Sequence, residues 1–196
     1  MTDPSTKVEG LPKFSRHITT HNVDGVAIFA TADPADPSSS STSATGSMSP
    51  DPSWLNFPGS PASGFGLAYA TDTIPADFNG NADLDTYNAY LQKHPGITIR
   101  GGSVFRVVDM DPGAKSPMHR TVSIDYGVVL EGEVELELDS GEKRRLARGD
   151  IFVQRGTMHM WRNPSDSKPV RLLAVQLDSK EVVVEGKGAL PELFQS

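Results

Sequence analysis

From Glu133 to Leu138 acidic and apolar residues alternate without a break, with Val134, Leu136 and Leu138 on one face and Glu133, Glu135 and Glu137 on the other. That period of two predicts a strand with one wet side. Similar segments recur through the C-terminal half at Ser103–Asp109, Ser123–Leu130, Ile151–Gln154, Met158–Arg162 and Val170–Gln176. Turn signals separate them at short intervals: Pro112-Gly113, Glu131-Gly132, Asp139-Ser140-Gly141 and Arg148-Gly149-Asp150. Short strands with no helix between them predict an all-β fold, an antiparallel barrel or jelly roll. Gly132 stands where a tight turn suits glycine's freedom at positive φ.

The N-terminal half reads differently. Val26–Ala30 and Phe65–Thr71 are strand-like, and one helix is predicted at about 83–93. There Leu84, Tyr87 and Leu91 form a stripe, Asp83 and Asp85 favour the N-terminal end, and Pro95-Gly96 stops it. Between the two strands the chain turns to Ser, Thr, Pro, Asp and Ala, and a disordered insertion is expected at about 32–63. The expected organisation is therefore an N-terminal extension at 1–97, a barrel at 98–178 and a tail at 179–196. The tail starts with β-branched residues and is expected to cover a barrel edge or to help form a homodimer.

A length of 196 residues suits one domain with appendages. The net charge of −7 and the lack of a basic cluster argue against nucleic-acid and anionic-membrane partners. Without cysteine, thiolate metal sites and cysteine nucleophiles are excluded. Met1–Asn22 is polar, with no apolar signal region, and no run of about 18 apolar residues occurs. A cytoplasmic location is expected.

The chemistry concentrates in two strand motifs. The first runs from Pro112-Gly113 through His119, Thr121 and Asp125 to Gly132; the second runs from Gly149-Asp150 through Gly156 and His159 to Asn163. Side chains of one parity share a face of a strand. His119, Thr121, Ser123 and Asp125 therefore point one way, as do His159, Trp161 and Asn163. The spacing allows two imidazoles, a carboxylate and an indole to converge on one pocket, with Thr121, Trp161 and Asn163 lining it. Arg120 and Tyr126 have the opposite parity and belong outside. Arg106, a lone charge in an apolar strand, is expected to face outward beside a strand neighbour, the alternative being an anchor for a carboxylate or enolate. His17, His21 and His94 read as solvated.

These two motifs, with their glycine and histidine spacing, resemble the signature of the cupin superfamily over residues 98–178. The resemblance implies a small β-barrel with a ligand or metal site inside it. Metal-binding cupins carry His-x-His and then Glu in the first motif and one His in the second. His119 and His159 match the outer positions, Thr121 replaces the second histidine, and Asp125 stands for the glutamate. Two readings stay open. In one, His119, Asp125 and His159 hold a divalent metal, Fe, Mn or Zn. In the other no metal is held, and His159 with Asp125 forms an acid/base pair.

The string from Met118 to Gly132 and that from Gln154 to His159 look like a narrower group, small fungal cupin-domain oxidoreductases that tailor polyketides. That likeness implies an oxidoreductase acting on a polyketide-like hydroxy or carbonyl small molecule in secondary metabolite biosynthesis. The alternatives are a metal-free dehydratase or isomerase, or a non-catalytic small-molecule-binding cupin. No glycine-rich dinucleotide fingerprint is present.

Overall fold

The structure, a computed structural model, describes residues 8–31, 49, 51–57 and 60–195. Its strands are β1 (Thr19–His21), β2 (Ala27–Phe29), β3 (Ser53–Phe57), β4 (Ser60–Thr71), β5 (Ser103–Met110), β6 (His119–Arg120), β7 (Ser123–Glu131) and β8 (Glu133–Leu138). They continue with β9 (Lys143–Ala147), β10 (Ile151–Arg155), β11 (His159–Arg162), β12 (Val170–Asp178), β13 (Val182–Val184), β14 (Gly188–Leu190) and β15 (Leu193–Phe194). One α-helix, α1, spans Ala82–Gln92.

Two antiparallel sheets face each other as a jelly roll. One has the order β10-β7-β12-β5-β4-β3 and the other β15-β6-β11-β8-β9. The β7–β8 turn is made at Gly132, whose φ is +78°. Between the sheets Met110, Val129, Val134, Leu146, Val170 and Leu172 form one core, extended by Val108, Phe152 and Trp161. A second core joins α1 to β4 and β5 through Leu84, Tyr87, Leu67, Ala70 and Val104. The stripe expected on the helix is thus the face that is buried.

Part of the expected organisation needs correction. Residues 53–57 and 60–63, assigned above to the insertion, are strands β3 and the start of β4, and β4 pairs along β5. The barrel sheet therefore begins well before residue 98. Serine, proline and glycine obscured these strands, since a strand earns its place through its neighbours as much as through propensity. The rest of the proposed insertion, 32–48, 50 and 58–59, lies outside the described residues. The tail does cover an edge: β15 pairs with β6, extending the five-stranded sheet.

Two buried arginines fasten the N-terminal extension. Arg171 on β12 donates from Nε and Nη2 to both carboxylate oxygens of Asp109 on β5, at 2.7 and 2.6 Å, and from Nη1 to the Pro12 carbonyl at 2.6 Å. Its guanidinium lies 4.6 Å from the Phe14 ring centre. Arg16 donates to the Ala68 carbonyl and the Tyr87 hydroxyl, tying the extension to β4 and α1. Removing one member of a buried, fork-to-fork ion pair leaves the other charge uncompensated. Asp109→Asn is therefore expected to lower unfolding free energy by about 3–5 kcal/mol, read from urea midpoints at constant slope. A loss below about 1 kcal/mol would show that the pair is not the fastening.

Candidate functional site

His119 on β6 and His159 on β11 are direct cross-strand partners. Their rings point between the sheets, 4.3 Å apart at their centres and inclined by 47°. Both are almost wholly buried, at 4% and 3% exposure. Each ring is held by the same local device, Nδ1 lying 2.9 Å from the carbonyl two residues upstream, Pro117 for His119 and Thr157 for His159. A carbonyl only accepts, so Nδ1 carries the proton and Nε2 keeps a lone pair. Burial depresses the pKa of both imidazoles, and that of His159, next to His119, falls to about 3. Two neutral imidazoles therefore meet at one spot.

Asp125 enters from the other sheet, on β7, through a chain of hydroxyls. Ser123 donates to Asp125 Oδ1 at 2.6 Å, so the 2.9 Å contact between Thr121 and Ser123 has Thr121 as donor. Gln176 on β12, the register partner of Asp125, also donates to the carboxylate. Burial outweighs these bonds and raises the Asp125 pKa to about 6. The sequence reading paired His159 with Asp125; instead the imidazole bonds Thr157 and the carboxylate bonds Ser123 and Gln176. Asp125 titrates near neutrality and His159 far below it, so the carboxylate is the better-matched proton carrier.

These groups line a cavity of about 50 Å³ together with Thr121, Trp161, Phe65, Val108, Phe152 and Leu172. Phe152 lies across β7 from Gly127, where an added Cβ would come within 2.1 Å of its ring. Glycine there makes the room for this wall. At the sheet edge Phe194 of the tail is the register partner of His119 and stacks on its ring, 5.4 Å centre to centre and 8° from parallel.

The parity argument places Thr121 and Trp161 at the cavity as expected, but not Asn163. The last strand residue before it is Arg162, and Asn163 is fully buried elsewhere. Its Nδ2 donates to the Asp111 and Lys168 carbonyls, and its Oδ1 accepts from Ser165 N–H, so it braces a turn. Arg106 is a second correction: it is 2% exposed and lines the cavity rather than facing outward. His94 is a third, being half-buried with Nε2 2.7 Å from Ser53 Oγ. Ser123, Gln176 and Phe194 were not selected from sequence, and Arg106 was weighed there only as an alternative. The parities of Ser123 and Gln176 could have found them; nothing marked Phe194.

A catalytic iron, manganese or zinc centre takes about three protein donors. Two neutral imidazoles with their protons on Nδ1 fit that role. The carboxylate of Asp125 is engaged by Ser123 and Gln176, and Thr121 offers a hydroxyl that Ser123 already uses. Among the described residues no three His, Asp or Glu side chains are grouped to hold a metal ion. The triad read from the sequence is not assembled as a donor set.

Comparison with known proteins agrees with this architecture. Residues 106–176 match the family model described as a cupin domain. Phomopsin biosynthesis cluster protein C' of Diaporthe leptostromiformis is 44% identical, over 88% of this chain and 82% of its own length. Oryzines biosynthesis cluster protein J of Aspergillus oryzae is 43% identical, over 90% and 89%. Cupin-domain-containing oxidoreductase fogC of Aspergillus ruber is 37% identical, over 92% and 80%. With two facing sheets, both motif histidines inside and relatives matched over most of their length, the chain belongs to the cupin family.

Proposed function

We propose that this cupin is a tailoring enzyme of fungal secondary metabolism, an oxidoreductase acting on a hydroxy or carbonyl carbon of a polyketide-like intermediate. The observation that carries the reading is the pair of neutral, buried imidazoles beside a carboxyl group that titrates near neutrality. The imidazole pair orients the substrate, His159 Nε2 accepting a hydrogen bond from a donor other than the reacting hydroxyl. Asp125 takes the proton of the reacting hydroxyl, the hydride on the same carbon passes to a diffusible two-electron acceptor that serves as co-substrate, and the hydroxyl chain through Ser123 and Thr121 rearranges around the new charge state. Trp161, Phe152 and Phe65 supply apolar walls for the substrate's carbon frame. The names of the relatives, cluster proteins and cupin-domain oxidoreductases, support the reaction class.

A second reading, a dehydratase or isomerase that moves protons without redox change, is favoured by one observation: Asp125 alone is poised to exchange a proton at neutral pH. Among the described residues no helix is long and apolar enough to cross a membrane; a cytoplasmic location with a small-molecule substrate is part of the proposal. The exposed outer-face residues Tyr126, Ile151 and Val153 support a homodimer.

Mass spectrometry of metabolites separates the readings when His159→Ala replaces the native gene in the organism that encodes it. The compound that accumulates is expected to differ from the end product by two hydrogen atoms. A difference of one water, or none in composition, would select the second reading. An unchanged metabolite profile would contradict both and leave a binding module.

The pH dependence has a definite sign. With a pKa of about 6, Asp125 is ionised at neutral pH and acts as base. Turnover with the compound so identified should fall as pH drops through 6, by roughly tenfold per unit. Asp125→Asn should cost at least about 10²-fold at pH 7 and remove that ionisation. A profile flat between pH 5 and 7, with the slope markers set at about those values, would exclude Asp125 as the base.

A further inference from the structure

Arg106 holds a charge for which the described residues supply no counter-charge. It comes from the centre of β5 and turns into the cavity, 2% exposed. Its Nη2 donates to the Gly96 carbonyl, and that is the one acceptor it has among the described residues. Its Nε is buried with no hydrogen-bond partner among the described residues. The guanidinium sits 5.0 Å from the centre of the Phe65 ring. Among the described residues no carboxylate answers it: Asp109, on the opposite face of β5, is taken by Arg171, and Asp125 is taken by Ser123 and Gln176. Burial brings the Arg106 pKa down to about 10, which still leaves a cation at neutral pH. Close by, His94 Nδ1 is a second buried nitrogen without a hydrogen-bond partner among the described residues, and burial, with the Arg106 charge adding to it, depresses the His94 pKa.

Guanidinium groups are rarely buried unpaired, because desolvation of the charge is repaid only by an opposing charge and by hydrogen bonds to the fork. The orphaned Nε–H points to where the missing acceptor belongs. A planar carboxylate satisfies that edge of the fork, and a single negative charge matches a single positive one. The surrounding walls, Phe65, Val108 and Leu172, suit an apolar carbon frame and offer nothing to a second negative charge.

We infer that Arg106 is the anchor for a carboxylate on the ligand, so that the substrate class is a hydroxy or keto monocarboxylic acid. This rests on the enzyme reading above and adds the position of the acid to it. The register shows the geometry. Arg106 faces Ala174 and, beyond it, Gly127, while Asp125 lies two residues farther along β7. Two strand spacings and two residues separate the anchors by about 12 Å at the backbone, a distance their side chains shorten. A carboxylate at Arg106 therefore puts the hydroxyl or carbonyl of the same molecule toward Asp125 and the imidazole pair.

The test is equilibrium binding by calorimetry, in buffer free of carboxylate and phosphate, using acetate, hexanoate and benzoate, each against its amide. At least one acid is expected to bind about tenfold or more tightly than its amide. Arg106→Met should abolish that preference without lowering the melting temperature, since it removes an uncompensated buried charge. Arg106→Lys should keep part of it. A merely structural arginine gives the opposite pattern: Arg106→Met melts early or fails to fold, and the acid preference is absent in the wild type or unchanged in Arg106→Lys. Equal binding of acids and amides, or no binding of any acid, overturns the inference and leaves the proposed reaction standing. Acid preference with an unaltered metabolite profile for His159→Ala does the reverse.

Discussion

One cross-strand register, His119 opposite His159, fixes everything at this site. β6 is only two residues long, so little else specifies its pairing, and a slip of one residue would turn His119 out of the barrel. The register is guarded from both sides. β8 pairs with β11, Leu138 opposite His159, and β15 pairs with β6, Phe194 opposite His119. A lateral row of Phe194, His119, His159 and Leu138 results. Within it the two rings are set in the same tautomer by carbonyls two residues upstream of each.

The row gives the cavity its electrostatic character. Imidazoles held neutral by burial come from one sheet, and a carboxylate that titrates near neutrality and a guanidinium with no carboxylate partner among the described residues come from the other. Each is shifted toward, or held at a cost in, the apolar surroundings that the core provides. At about 50 Å³ the cavity has space for a few waters or a small acid group. A larger substrate requires movement of the side chains that line the cavity.

Much of this was legible in the chain because the pleat has a period of two. Parity sent His119, Thr121 and Asp125 inward, although the chain crosses from one sheet to the other between β6 and β7; it also sent Tyr126 outside and made the Glu133–Leu138 strand half wet. Lys143, paired with Glu135 and Glu137, now lies along that wet face. Arg106 was misread because β5 is apolar at both parities, Val104 and Val108 on one side and Phe105 and Val107 on the other. The sheet is covered on both faces, and alternation then carries no direction. Asn163 was misassigned because parity holds only while the strand lasts, and β11 stops at Arg162. β3 and the start of β4 were hidden by serine and proline, and Phe194 by a tail whose partner is 75 residues upstream, counting from 194 to 119.

The most direct test of the account is ¹⁵N NMR of the imidazoles, with His119 and His159 assigned by single substitution to glutamine. His159 is expected to stay neutral from pH 7 to about 5 and His119 to titrate below the ordinary imidazole value, both with the proton on Nδ1 when neutral, and the rings to show mutual contacts. An imidazole titrating at the ordinary value near 6.5, or rings without mutual contacts, would contradict a shared buried site.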